Sequence, residues 1–276
     1  MDSRSTTANI DITTKTDGKS GIDIRVKPGT KKESVHIPVI IHATGFTELV
    51  YNDFFIGEDC DIDIVAGCGI HNTGCETAQH DGLHTFYIGK NSKVRYVERH
   101  YGEGDGMGEN IMNPTTVVEM DEDSYLEMET TQIKGVDSTV RTTKATLGSR
   151  ATLIIKEKVM THGKQLAKSD FTVDLNGEDC HTNVISRSVA RDQSHQVFLA
   201  RINGNARCYG HSECDAIIMD QGVVAAIPEV TANCVDASLV HEAAIGKIAG
   251  EQLIKLMTLG LTEKEAEEQI VKGFLK

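Results

Sequence analysis

The chain has 276 residues, with 28 Lys and Arg against 41 Asp and Glu, and so a formal charge of −13. That balance argues against a nucleic-acid or anionic-membrane surface, because phosphate-rich partners select basic patches. With 25 Gly, 4 Pro and no Trp, collagen-like and Pro-rich disordered classes are excluded, and a core of Val, Ile, Leu, Ala and Thr is implied. No apolar run approaches the roughly 18 residues that span a bilayer. The first twenty residues, rich in Ser, Thr, Asp and Lys, lack the apolar stretch of a secretion signal. Seven cysteines in such a chain read as reduced thiols of a cytoplasmic protein.

In chain order, residues 1–20 read as a flexible tail and residues 21–237 as a repeat. Six segments share an apolar residue, a turn and a short alternating strand. Their leading residues are Ile56, Ile88, Met120, Leu147, Leu175 and Ile202, spaced 27 to 32 residues apart. Periods of about 20–50 residues are the mark of solenoids or propellers. The alternation is of strand type and is bounded by Gly, Asn and Asp, so stacked coils should form a parallel β-helix. The competing arrangement, an antiparallel sandwich, turns every ~8–12 residues.

From Ser238 the period becomes helical, with Ile245, Ile248, Ala249, Leu253, Leu256 and Met257 in one stripe. Gly260 then fits a helix stop, and Thr262 with Glu265 forms a capping box for a second helix lined by Ala266, Ile270 and Phe274. Residues 238–276 are therefore expected to be a helical hairpin, docked on the solenoid's end or on another protein.

Three segments could carry chemistry. The string of alternating glycines from Gly102 to Gly108 contains acids and is not followed by Gly-Lys-Ser/Thr, so it reads as a mobile loop. No P-loop occurs elsewhere, and nucleotide hydrolysis is not expected of this chain. Residues 68–84 bring together Cys68, His71, Cys75, His80 and His84, soft and borderline ligands that suit zinc or iron; the alternative is a set of polar residues lining turns. The third segment is split, with Cys208, His211 and Cys214 in one stretch and His241 and Glu242 in another. Thiolate, imidazole and carboxylate brought together by the fold would hold iron or zinc. Alternatively, Glu242 complements a helix dipole and Cys214 packs in the core.

Ile185-Ser-Arg-Ser-Val-Ala-Arg191, Glu213-Cys-Asp-Ala-Ile-Ile218 and His241-Glu-Ala-Ala-Ile-Gly-Lys-Ile248 resemble the SufB/SufD family of iron–sulfur assembly scaffolds. Thr258 to Ala266 and Ile270 to Phe274 fit that family's helical tail, and Gly67-Cys68, Gly82-Leu-His84 and Lys93-Val-Arg-Tyr96 resemble its early coils. The likeness runs from about residue 44 to residue 276. It implies a right-handed parallel β-helix and a non-enzymatic scaffold that builds a transient iron–sulfur cluster and passes it to apoproteins. It implies Cys68 as acceptor from a sulfur donor, and Cys214, His241 and Glu242 as the cluster-binding group at a subunit interface. It also implies a tail that docks a SufC-type ABC ATPase, for which Leu253, Leu256, Met257, Ile270 and Phe274 are the candidate contacts.

The His-Glu pair at 241–242 is similar to SufB rather than SufD. The chain departs from the family in lacking the N-terminal helical domain of longer members and in reading Gly-Ile-His after Cys68. His71, Cys75 and His80 lie outside the family pattern, leaving His71, Cys75, His80 and His84 as a candidate second metal site. Because Cys214, His241 and Glu242 occur in one chain, and unpaired final strands invite pairing, a homodimer sharing its cluster sites is expected. Two other classes compete: a structural zinc solenoid using residues 68–84, and a β-helix enzyme acting on polysaccharide. The missing Trp and secretion signal disfavour the second.

Overall fold

Alternating side chains build strands that fold into two facing β-sheets in the computed structural model, which describes residues 6–276. In chain order the strands are β1 (Ile10–Thr14), β2 (Gly21–Val26), β3 (Lys31–Ile41), β4 (Thr47–Ile56), β5 (Asp61–His71), β6 (Ala78–Ile88), β7 (Lys93–Glu103), β8 (Asn110–Met112) and β9 (Thr115–Met120). There follow β10 (Tyr125–Lys134), β11 (Ser138–Leu147), β12 (Thr152–Thr161), β13 (Leu166–Leu175), β14 (Cys180–Ala190), β15 (His195–Gly204), β16 (Cys208–Ile218), β17 (Val223–Ala232) and β18 (Ala237–Gly246). Successive strands from β2 onward swing from one sheet to the other, apart from β8 and β9, which share a sheet. One sheet runs β1-β2-β4-β6-β8-β11-β13-β15-β17 with β9 beside β6 and β11, and the other runs β3-β5-β7-β10-β12-β14-β16-β18. Every pairing is parallel except β1 with β2. The result is a flattened parallel β-solenoid.

The repeat leaders show how the sequence sets the register. Ile56, Ile88, Met120, Leu147 and Leu175 stack on one another in consecutive coils. The sixth position in that stack is Gly204, not Ile202, which pairs with Val173. The two-residue offset keeps Ile202 facing inward, since strand side chains alternate with period two. At the following corner, Asp59, Asn91, Asp123, Arg150 and Asp179 each have φ between 56° and 59°. Asn and Asp tolerate this left-handed conformation better than other side chains. The next residue in each coil is small and buried: Cys60, Ser92, Ser124, Ala151, Cys180, then Cys208 in register with Cys180. Cys60, Cys180 and Cys208 thus fill a corner that Ser and Ala fill elsewhere.

The interior is mostly aliphatic, with Phe54 and Phe86 stacked at 4.3 Å and Tyr96 edge-on to both. Two boundaries differ from expectation. Residues 10–14 are not a flexible tail: β1 pairs antiparallel with β2, Ile10 is buried, and Lys15 bridges Asp23 and Asp53 at 2.8 and 2.5 Å. Residues 1–5 lie outside the described residues. The helical region does not begin at Ser238, because β18 occupies 237–246 and pairs with β16. Leu239, His241, Ala243 and Ile245 alternate inward there, and Ile245 belongs to this period-two pattern rather than to the helical stripe assigned to it.

The chain then forms α1 (Gly250–Met257) and α2 (Glu263–Phe274). The capping box of Thr262 and Glu265 is present. Helix α2 buries Ala266 and Val271, and with Leu275 it packs on Val189 and Met219 at the solenoid's flank. Helix α1 buries none of its residues.

Candidate functional site

Parallel register turns each inward position into a column running along the solenoid. One column of the second sheet reads Ile37, Ala66, Glu98, Thr130, Glu157, Ser186, Cys214 and Ala243. The neighbouring column contains Cys68, His100, Gln132, Val159, Ser188, Ala216 and Ile245. Between them these columns hold a buried polar line. Glu98 receives Arg141 at 2.8 Å and Tyr96 at 2.9 Å, and His100 Nε2 lies 3.3 Å away. Arg141 continues to Glu157 at 3.6 Å, and Glu157 accepts hydrogen bonds from Ser169 and Ser186 at 2.5 and 3.0 Å. Ser186 is the register neighbour of Cys214. Burial would raise the pKa of Glu98, but His100 and Arg141 outweigh it and hold the carboxyl well below its usual range.

Cys214 is fully buried, and its thiol is pushed up to about 12 by burial first, then by Glu157 and Asp215. His241 shares its inward face, two positions along β18 from Ala243, and its Nδ1 lies 2.8 Å from Ser212 Oγ. Burial lowers the His241 pKa, with His211 acting in the same direction. Glu242 does not join them. Adjacent strand residues point to opposite faces, so Glu242 projects outward, with its Oε2 3.4 Å from His211 Nε2. The ligand atoms of His211, Glu213 and Glu242 lie within 4.8 Å of one another. Burial, and then Asp215, raises the Glu213 pKa. Parity was the missed signal: within residues 211–214, His211 and Glu213 have one orientation, Ser212 and Cys214 the other.

The segment from Cys68 to His84 is also divided by the wall. Cys68, His80 and His84 point inward and line a cavity of about 10 Å³ with Gly82, Glu98, His100, Met112 and Pro114. His71 sits at the strand end, 3.4 Å from Glu103, and Cys75 is exposed in the turn. Among the described residues, no three of His71, Cys75, His80 and His84 come within 4.8 Å of one another. Burial lowers His84 to about 4 and raises the Cys68 thiol far above its ordinary value.

Of the candidate docking residues, Leu253, Leu256 and Met257 are at least partly exposed on α1. Ile270 is half-buried on α2, and Phe274 packs beside Val271 against the solenoid. Among the described residues, no helix is long and apolar enough to cross a membrane.

Residues 51–274 match the family described as SUF system FeS cluster assembly, SufBD core domain. An iron–sulfur cluster assembly SufBD family protein of Methanocaldococcus jannaschii is 32% identical over 262 residues, covering 94% of this chain and 82% of the relative. A SufBD family protein of Archaeoglobus fulgidus is 29% identical over 95% of this chain and 69% of its own length. One from Methanothermobacter thermautotrophicus is 26% identical over 92% of this chain, which spans 62% of that relative.

Proposed function

The chain belongs to the SufBD family, and from that premise we propose that it is a scaffold on which iron–sulfur clusters are assembled, in the cytoplasm, for transfer to apoproteins. The observation that supports this most is the position of Cys214 and His241. They are a thiol and an imidazole on one inner face, beside a last coil whose strands β17 and β18 pair with no further strand among the described residues. The cluster and its iron and sulfide are cargo. Cys214 supplies the thiolate and His241 the imidazole, while Glu242 meets them by approaching from a second copy of the chain. The edge strands β17 and β18 expose Val230 and Ile245 on the face that a further coil would cover, which suits a homodimer formed end to end.

Sulfur enters at Cys68, and the polar line of Glu98, Arg141, Glu157 and Ser186 leads from its surroundings to Cys214. The chain itself is not an enzyme in this reading. ATP hydrolysis belongs to a SufC-type ATPase that docks on the exposed stripe of α1 rather than on α2, whose apolar face is already used.

Replacing Cys214 with Ser should abolish the visible absorption of a cluster reconstituted under anaerobic conditions while leaving the circular dichroism of the sheets unchanged. A normal cluster in that variant would exclude Cys214 as its ligand. Leu256→Asp should weaken capture of the ATPase by a few kcal/mol without lowering thermal stability, because α1 contributes nothing to the core.

A further inference from the structure

The inward-facing chamber around Cys68 contains a group that the polar line does not use. His80 is 4% exposed, its Nδ1 lies 3.2 Å from Glu48 Oε2, and its buried Nε2 has no hydrogen-bond partner among the described residues. Glu48 and His80 are register partners on β4 and β6. A carboxylate accepts, so Nδ1 carries the proton and the lone pair resides on Nε2. Gly82 lies between His80 and His84 on the same inward face, where a Cβ would crowd His84 Nε2 at 3.0 Å. His80 and Cys68 line the same cavity of about 10 Å³, room for one atom the size of water. A carboxylate orients the imidazole, and the imidazole's free nitrogen belongs to a residue that shares this cavity with a thiol; once thiol and nitrogen close on one another, that is the arrangement that activates a nucleophile.

We infer that Glu48, His80 and Cys68 form an internal triad that accepts sulfane sulfur, with His80 Nε2 taking the Cys68 thiol proton and Glu48 holding the imidazole in position. This rests on the reading of Cys68 as sulfur acceptor. The Cys68 thiolate attacks the outer sulfur of a persulfide or polysulfide, forming the new S–S bond as the donor's S–S bond breaks. His80 then returns its proton to the departing donor thiolate. The sum is R–S–SH plus Cys68–SH giving R–SH plus Cys68–S–SH, with no net oxidation.

A route in is also present. Glu48 and Asn52 line the cleft of about 810 Å³ at the N-terminal end of the solenoid, so Glu48 stands between solvent and the chamber. The charged and titratable groups around the pair are Glu48 on β4, Cys68 on β5, Asp81 and His84 on β6, Tyr96, Glu98 and His100 on β7, and Arg141 on β11. Burial lowers the His80 pKa against the opposing pull of Glu48, which keeps Nε2 unprotonated and ready as a base at neutral pH.

The test follows sulfur addition at individual cysteines by mass spectrometry while the full chain reacts with inorganic tetrasulfide across a pH series. In the wild type, loading of Cys68 should be level above about pH 7. His80→Gln should slow it roughly a hundredfold at pH 7, with a rate that climbs about tenfold per pH unit as the thiol must ionise unaided. Exposed Cys75 serves as the internal control and should react alike in both. Glu48→Gln, at a partly exposed position, should give an intermediate slowing and carries the test if His80→Gln does not fold. Equal rates and equal pH profiles at Cys68 in wild type and variants would overturn the triad and leave the acceptor reading standing. Sulfur on Cys75 but none on Cys68 in the wild type would overturn both.

Discussion

At the scale of single residues, the buried charges determine how the protein responds to acid. His84 titrates near 4 when folded, against ~6.5 in an unfolded chain, so the unfolded state binds the proton first as pH falls. The stability held by neutral His84 is complete above ~6.5 and declines between ~6.5 and about 4, by on the order of 3 kcal/mol. His84→Gln should therefore flatten the pH dependence of the urea midpoint across that window; an unchanged slope would place the proton elsewhere. Glu98 has the opposite origin and the same sign. Its depressed pKa stabilises the fold above the unfolded value and loses effect only in stronger acid. Arg141 is the counter-charge for both Glu98 and Glu157. Arg141→Met should cost ~3–5 kcal/mol by leaving buried carboxylates unpaired, and Glu98→Gln in the same chain should restore part of that loss in denaturation experiments.

At the scale of elements, period-two alternation and the stacked turns were legible because most coils repeat the same choice: mostly aliphatic inward, polar outward, and Asp or Asn at the corner, with Arg150 the exception there. What could not be read was which face two adjacent residues would share. His241 and Glu242 look like one site in a linear motif, and the strand separates them; had the segment been helical, both could have turned toward one neighbour. The same error of period placed Ile245 in a helix. His211 is visible in the sequence as a candidate ligand, but only strand parity separates it from Cys214 and groups it with Glu213 and Glu242. The tail divides its labour in a way composition conceals, since both helices are amphipathic but only α2 is docked. Val271→Asp should release α2 and lower the thermal midpoint, whereas Ile254→Asp, at a position 62% exposed on α1, should leave it unchanged.

On the scale of the whole molecule, the two ends of the solenoid are built differently, and that difference sets the symmetry of any assembly. At the head, β1 lies antiparallel against β2, and Pro38 on the opposite edge strand β3 withholds one donor. At the tail, β17 and β18 present parallel edges, interrupted only by Pro228. A stack of parallel coils is in principle a polar filament that can grow by adding one tail to the next head. The reversed first strand opposes that addition, because on one of the two sheets the ladder would have to change sense at the joint. A tail-to-tail contact would instead be isologous: it would close after two copies and leave nothing further to extend. Sedimentation of the intact chain should therefore show growth that stops at two. Removing residues 6–15 together with Pro38→Val should convert the closed pair into scattering polymers whose size rises with concentration. In that assembly the small antiparallel ribbon at the N-terminal end would act as a chain terminator, the element that keeps the molecule a finite particle rather than the monomer of a fibre.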